Sequence, residues 1–78
     1  MFYAYILQLK DGSFYHGHSD NWEKRLKEHQ SGIVPSTKNL RPVKLIFYAA
    51  FSSKEKAIAF EKYLKTGSGF AFRNKRLI

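Results

Sequence analysis

The 78-residue chain predicts an α+β fold: a small three-stranded antiparallel sheet flanked by helices. Three observations predict it. Two branched and aromatic runs, 2–9 and 14–18, are joined across Asp11-Gly12, a strong hairpin signal. Two later segments follow capping-type residues and carry apolar positions at helical spacing. A third branched run, 43–51, stands between those segments. Packing helices against one sheet is the economical way to bury such a set.

The elements follow in order. Extended residues 2–9 put Tyr3, Tyr5, Leu7 and Leu9 on one face and Phe2, Ala4, Ile6 and Gln8 on the other. Gly17, inside the returning strand, predicts a close backbone approach or a bulge. Asp20 and Glu23 have capping-box spacing for the first helix. Trp22, Leu26 and His29 share one face of it, with Arg25 at the margin, and Gly32 is its expected stop. Residues 33–42 read as a polar, basic loop with two prolines. Residues 43–51 predict a strand buried on both faces. Ser52 and Glu55 offer a second capping box, for a helix that runs to about Lys65 and stops near Gly67-Ser68-Gly69. The tail 70–78 predicts a short helical turn or a strand.

Composition narrows the function. At this length there is room for one domain, residues 1–78. No cysteine is present, so disulfides, thiolate metal sites and cysteine nucleophiles are excluded. Their absence favours a reducing, cytoplasmic setting. The N-terminus lacks the basic start of a signal peptide, and the longest apolar run, 45–51, is too short to span a bilayer. The net charge is +8, from 14 Lys and Arg against 6 Asp and Glu. Such a surface suits nucleic acid, although acidic lipid or protein would also be attracted.

One residue is out of place. On a helical wheel, Glu61 falls in the apolar arc made by Ala57, Ile58, Phe60 and Leu64. An unpaired buried carboxylate costs several kcal/mol. Glu61 must be paired with a cation, protonated, or bound to a metal. Tyr5 and Tyr15 lie on adjacent strands of the hairpin, as core residues or as proton-transfer groups. His16, His18 and His29 raise zinc, but no tight ligand spacing accompanies them.

Read as a whole, the pattern is more specific. Tyr3-Ala4-Tyr5, then Tyr15-His16-Gly17, then Arg25, then Glu61 resembles the GIY-YIG nuclease family. Both signature tripeptides diverge. The first keeps its final tyrosine, and the second keeps its tyrosine and glycine. The stretch YAYILQLKDGSFYHGHSDNWEKRLKEHQSG is similar throughout to small stand-alone members, and RPVKLIFY, FSSKEKAIAFEKYLK and GSG continue the similarity.

The resemblance implies a GIY-YIG endonuclease fold and a metal-dependent endonuclease acting on DNA, branched or damaged DNA included, in repair or recombination. It implies Tyr15 as general base or water-orienting group, helped by Tyr5. Arg25 would neutralise the scissile phosphate. Glu61 would hold one Mg²⁺ or Mn²⁺. His18, His29 and Asn74 are implied supporting residues. Lys38 and Arg41 of the basic loop, with Arg73, Lys75 and Arg76 of the tail, are candidates for phosphate contacts that position DNA without reading sequence. The alternative is a non-catalytic nucleic-acid-binding module on the same fold.

Overall fold

The computed structural model describes residues 1–78. Strand β1 spans Phe2–Gln8, β2 Phe14–Ser19, helix α1 Trp22–Ser31, β3 Lys44–Phe51, α2 Lys54–Leu64 and α3 Gly67–Arg76, with a 3-10 turn at Lys38–Leu40. The sheet is antiparallel in the order β2-β1-β3. The predicted three-stranded α+β architecture is therefore present.

Strand β1 is central and the most buried: Ala4, Ile6 and Leu7 have no exposed surface. Its alternation sends Tyr5, Leu7 and Leu9 to one face. There they form a core with Val43, joined by half-buried Tyr15, Leu26, Leu40 and Leu45. Ala4 and Ile6 face the other way. On that side α2 packs across all three strands, with Ala57 and Leu64 buried.

The hairpin β1–β2 turns through Asp11-Gly12 as the sequence predicts. Gly12 adopts φ 87, and the Asp11 carboxylate accepts hydrogen bonds from the Ser13 amide at 3.0 Å and from its hydroxyl.

Several sequence expectations shift. The first helix is capped by Asn21 rather than Asp20, its side-chain oxygen accepting from the Lys24 amide at 3.1 Å. The second is capped by Ser53 rather than Ser52, accepting from Lys56 at 3.2 Å. Both are slips of one residue between neighbouring cap-forming types. Strand β3 is not buried on both faces. It is an edge strand with no fully buried residue, each being exposed or half-buried, and a register shift beside Ile6 and Leu7 interrupts its pairing. Helix α2 covers its inner residues, where Phe60 meets Phe47 and Phe51. Outside, Tyr48 is 46% exposed and stacks on Trp22 at 4.8 Å.

Helix α2 ends at Leu64, close to the predicted stop, and the glycine-rich 67–69 stretch opens a ten-residue helix, longer than the short turn or strand expected of the tail. The Thr66 hydroxyl caps α3 by accepting from the Gly69 amide at 3.1 Å. A side chain at Gly69 would overlap the Tyr63 carbonyl, so glycine there lets α3 pack directly on α2. Gly32 is the stop of α1 that the sequence predicts, at φ 86. No helix is long and apolar enough to cross a membrane.

Candidate active site

A cleft of about 530 Å³ opens along the β2 edge of the sheet, and four elements wall it. Strand β1 supplies Tyr5. Strand β2 supplies Tyr15, His16, His18 and Ser19. The approach to α1 supplies Asp20 and Asn21, and its first turns supply Lys24, Arg25 and Glu28. Helix α2 supplies Glu61 and Lys65. Side chains from both faces of the sheet meet here because β2 has no neighbour beyond it. Tyr15 points towards α1, while His16 and His18 point towards α2.

Gly17 makes the crossing possible. It pairs with Tyr5 across the hairpin. A Cβ on Gly17 would lie 2.5 Å from both Cζ and Oη of Tyr5, and 3.1 Å from Cε1 of Tyr15. The close approach predicted at this glycine is therefore the passage of the Tyr5 ring.

The Tyr5 hydroxyl is 3.1 Å from His29 Nε2, and His29 Nδ1 is 2.8 Å from the Thr37 hydroxyl. Burial pushes Tyr5 up to about 12, with Arg25 nearby pulling the other way. The phenol therefore keeps its proton, and His29 Nε2 is the natural acceptor. The Nδ1 proton of His29 then goes to Thr37, a tautomer inferred from this network. Burial, with the positive charge of Arg25, also holds His29 below the usual histidine range. His29 itself is wholly buried. It braces Tyr5 from behind and does not line the cleft, so it stands behind the site rather than in it, a correction to its implied place among the supporting residues. The His29 ring also packs edge-on to Tyr15 at 5.0 Å.

On the other side, Glu61 receives two partners. His18 Nδ1 is 2.7 Å from Oε1, and the Lys65 ammonium donates to Oε2 at 2.9 Å. Burial alone would raise the Glu61 carboxyl. The hydrogen bonds from Lys65 and His18 outweigh it and hold the group below the usual glutamate range. The pairing alternative for the misplaced carboxylate is thus realised, yet Glu61 stays open to the cleft, its side chain 13% exposed. Arg25 is likewise held on a carboxylate, donating from Nη1 to Glu28 at 3.0 Å. That bond raises the guanidinium further above its ordinary value.

Donors for a cation are few. No group of three or more His, Cys, Asp or Glu side chains gathers to hold one. Glu61 is the ionised carboxylate between the two faces; of the other two carboxylates on the wall, Glu28 holds Arg25 and Asp20 is exposed. Such a set fits a hard cation that keeps most of its waters and takes further oxygens from a phosphate. It does not fit a closed zinc cage.

The structure brings Tyr5, Tyr15, His18, Arg25 and Glu61 together. The tail and loop residues behave differently. Arg73 is 5% exposed and lies between two rings, 4.6 Å from the centre of Phe14 and 4.3 Å from that of Phe70. It donates to His16 Nε2 and to the Asn74 side chain. Arg73 is therefore not the free phosphate contact expected of it, and Asn74 serves Arg73 instead of lining the cleft. Arg41 lies across Gly32 and donates to the carbonyls of Lys38 at 2.9 Å and Gln30 at 3.2 Å, fastening the loop to the end of α1. Lys38, Lys75 and Arg76 are exposed, and none of them lines the cleft.

Sequence reasoning missed Lys24, Glu28 and above all Lys65, and it raised His16 only as a possible zinc ligand. The signal for Lys65 was its place four residues after Glu61, on the same helical face.

Comparison with known proteins agrees with this geometry. A family model described as the GIY-YIG catalytic domain matches residues 1–75. The chain is 42% identical over 66 residues to a UPF0213 protein of Clostridium perfringens, covering 83% of this chain and 71% of that one. It is 41% identical over 64 residues to the UPF0213 protein YazA of Bacillus subtilis, covering 81% of this chain and 65% of that one. The solution NMR structure of a UPF0213 protein from Bacillus halodurans superposes with a TM-score of 0.60 at 33% identity, covering 99% of this chain and 87% of that one. With the hairpin tyrosines, Arg25 and Glu61 around one cleft and a match along nearly its whole length, the chain belongs to the GIY-YIG family.

Proposed function

We propose that the protein is a divalent-metal-dependent endonuclease that hydrolyses phosphodiester bonds in DNA. The observation that carries this reading is an ionised Glu61 that shares one open cleft with Arg25 and two tyrosines. GIY-YIG is a nuclease family, and its members generally use a divalent metal ion.

In this reading Arg25 leaves Glu28 and grips the scissile phosphate, its planar fork matching two phosphate oxygens. The Tyr15 hydroxyl orients the attacking water by accepting a hydrogen bond from it. Tyr5, kept neutral, fixes the position of Tyr15 and offers oxygen lone pairs to water or to Arg25. His18 holds Glu61 in one orientation. Lys65 gives up Glu61 Oε2 and turns to the phosphate. Glu61, joined by waters and phosphate oxygens, would hold Mg²⁺ or Mn²⁺, which when bound neutralises charge developing on the phosphate.

The test is a cleavage screen over linear, supercoiled, flap and branched DNA with Mn²⁺, beside Glu61→Ala. Expected is metal-dependent nicking or cutting that Glu61→Ala abolishes while the protein stays folded. Salt-sensitive binding with no cleavage of any substrate would instead identify a non-catalytic nucleic-acid-binding module.

A second reading is favoured by the 2.7 Å His18–Glu61 pair. An imidazole that donates its Nδ1 proton to a carboxylate keeps a free Nε2 lone pair, and His18 lines the cleft. His18 would then take the proton from water and Glu61 would orient it. This reading expects His18→Ala to remove activity as fully as Glu61→Ala, and cleavage to survive chelation.

A further inference from the structure

The active-site cleft does not end at Lys65. A second hollow, of about 430 Å³, adjoins it and shares two of its wall residues, His16 and Lys65. Beyond them the hollow is walled by Phe14, Phe70 and Arg73, at the turn of the hairpin and the start of α3. A third hollow adjoins the other end of the cleft, shares His18, Ser19 and Asp20 with it and carries Lys54. The hollows thus follow one another along the outer edge of β2.

The Phe70 ring is unusual for an exposed aromatic. It is 44% exposed on the hollow's wall, yet held from beneath. The Arg73 guanidinium covers one face at 4.3 Å, and His16 meets the ring edge-on with centroids 6.5 Å apart. Arg73 is itself fixed, sandwiched against Phe14 and bonded to His16 and Asn74. A ring supported in this way loses little freedom when something stacks on it. The Lys65 ammonium stands on the rim between this apolar wall and the cleft. An apolar ring beyond a cation suits a nucleotide, with its phosphate at the lysine and its base on the ring.

We propose that the Phe70 hollow is a subsite for an unpaired nucleobase, one step along the strand whose phosphate lies in the active-site cleft. The inference rests on the cleft holding a nucleic-acid phosphate. It narrows the substrate to a strand that is single, frayed or displaced beside the bond to be cut, because a base inside a duplex has no free face to offer. The overall charge of +8 complements such a strand.

The experiment measures binding in chelator, so it does not depend on whether the protein cuts. Short oligo-dT carrying 2-aminopurine at successive positions is compared with blunt duplex of the same length. Wild type, Phe70→Leu and Phe70→Tyr are used, with folding checked by circular dichroism. Expected is quenching of 2-aminopurine at one position by wild type and by Phe70→Tyr, but not by Phe70→Leu. Phe70→Leu should bind the single strand about tenfold more weakly and the duplex unchanged. If Phe70→Leu does not fold, position-specific quenching by wild type and Phe70→Tyr still decides. The subsite is overturned if no position is quenched, or if Phe70→Leu weakens single strand and duplex alike or neither. Absence of cleavage by wild type in metal would overturn the nuclease reading alone.

Discussion

Tyr5 and Gly17 face each other across the hairpin, and the phenol lies where any side chain on the glycine would be. Gly17→Ala must therefore push the Tyr5 ring or spread the strands. The expected cost is about 1–3 kcal/mol in a urea melt. The Tyr5–His29 hydrogen bond should also be lost, seen as a shift of the His29 ring resonances. Cleavage should fall further than stability alone accounts for. A fully active, equally stable Gly17→Ala protein would show that the ring's position is not critical.

Stability should fall at both ends of the pH scale. Burial holds His16 and His29 below the usual histidine range, with Arg73 and Lys65 adding to the effect at His16 and Arg25 at His29. Nearby Glu61 and Glu28 oppose it only partly. Below the ordinary histidine value the unfolded chain takes up protons that the folded chain refuses, so stability declines as pH falls through that window. Glu61, also depressed, extends the loss in more acid solution, below the ordinary glutamate value. At the alkaline end the sign comes from Tyr5, raised from 10.0 to about 12. The unfolded phenol loses its proton first, so stability drops as pH climbs between those values, by roughly 3 kcal/mol. Thermal melts across pH give the curve. His29→Phe should flatten part of its acid limb, after allowance for the lost hydrogen bonds.

Lys65 occupies the Glu61 oxygen that a metal ion would need. Lys65→Met should raise the affinity for Mn²⁺ in the absence of DNA, measured by paramagnetic broadening of signals around Glu61. The same change should lift the Glu61 carboxyl towards its ordinary value and weaken binding to DNA. Unaltered Mn²⁺ broadening would mean that the ammonium does not compete for that position.

Two basic residues near α1 should behave in opposite ways. Arg41 is spent on the Lys38 and Gln30 carbonyls, so Arg41→Ala should cost about 1 kcal/mol of stability and leave the salt dependence of DNA binding nearly unchanged. Lys24 lines the cleft, and Lys24→Ala should leave stability alone while reducing the salt slope of DNA binding by about one. Fluorescence anisotropy over a salt series, beside a melt, separates the two.

The hairpin, both helices that face the sheet and the misplaced Glu61 were legible because each rests on local chemistry: alternation, a turn pair, or a carboxylate on an apolar arc; grouping Glu61 with Tyr5, Tyr15 and Arg25 took the resemblance to the GIY-YIG family. What was not legible depends on tertiary neighbours. The run 43–51 looks buried because it is apolar, but its place at the sheet edge is decided by β1 taking the centre. Arg73 looks like a surface cation, since nothing local reveals that Phe14, distant in the chain, will roof it. His29 was singled out by its helical face. Only the fold shows that this face turns towards Tyr5 and Thr37, away from the substrate side.

Because β1 comes first in the chain yet lies in the middle of the sheet, the order of assembly is constrained. Its pairing with β2 closes across a short turn. Its pairing with β3 must bring together segments separated by most of the chain, as Phe2 with Phe51 shows, which costs more loop entropy. A chain emerging from the ribosome can form the tyrosine-bearing hairpin early, but Glu61 arrives only after β3 has docked and α2 has lain down on it. The incomplete chain therefore has phenols without a carboxylate, and the cleft is whole only when the entire architecture has closed.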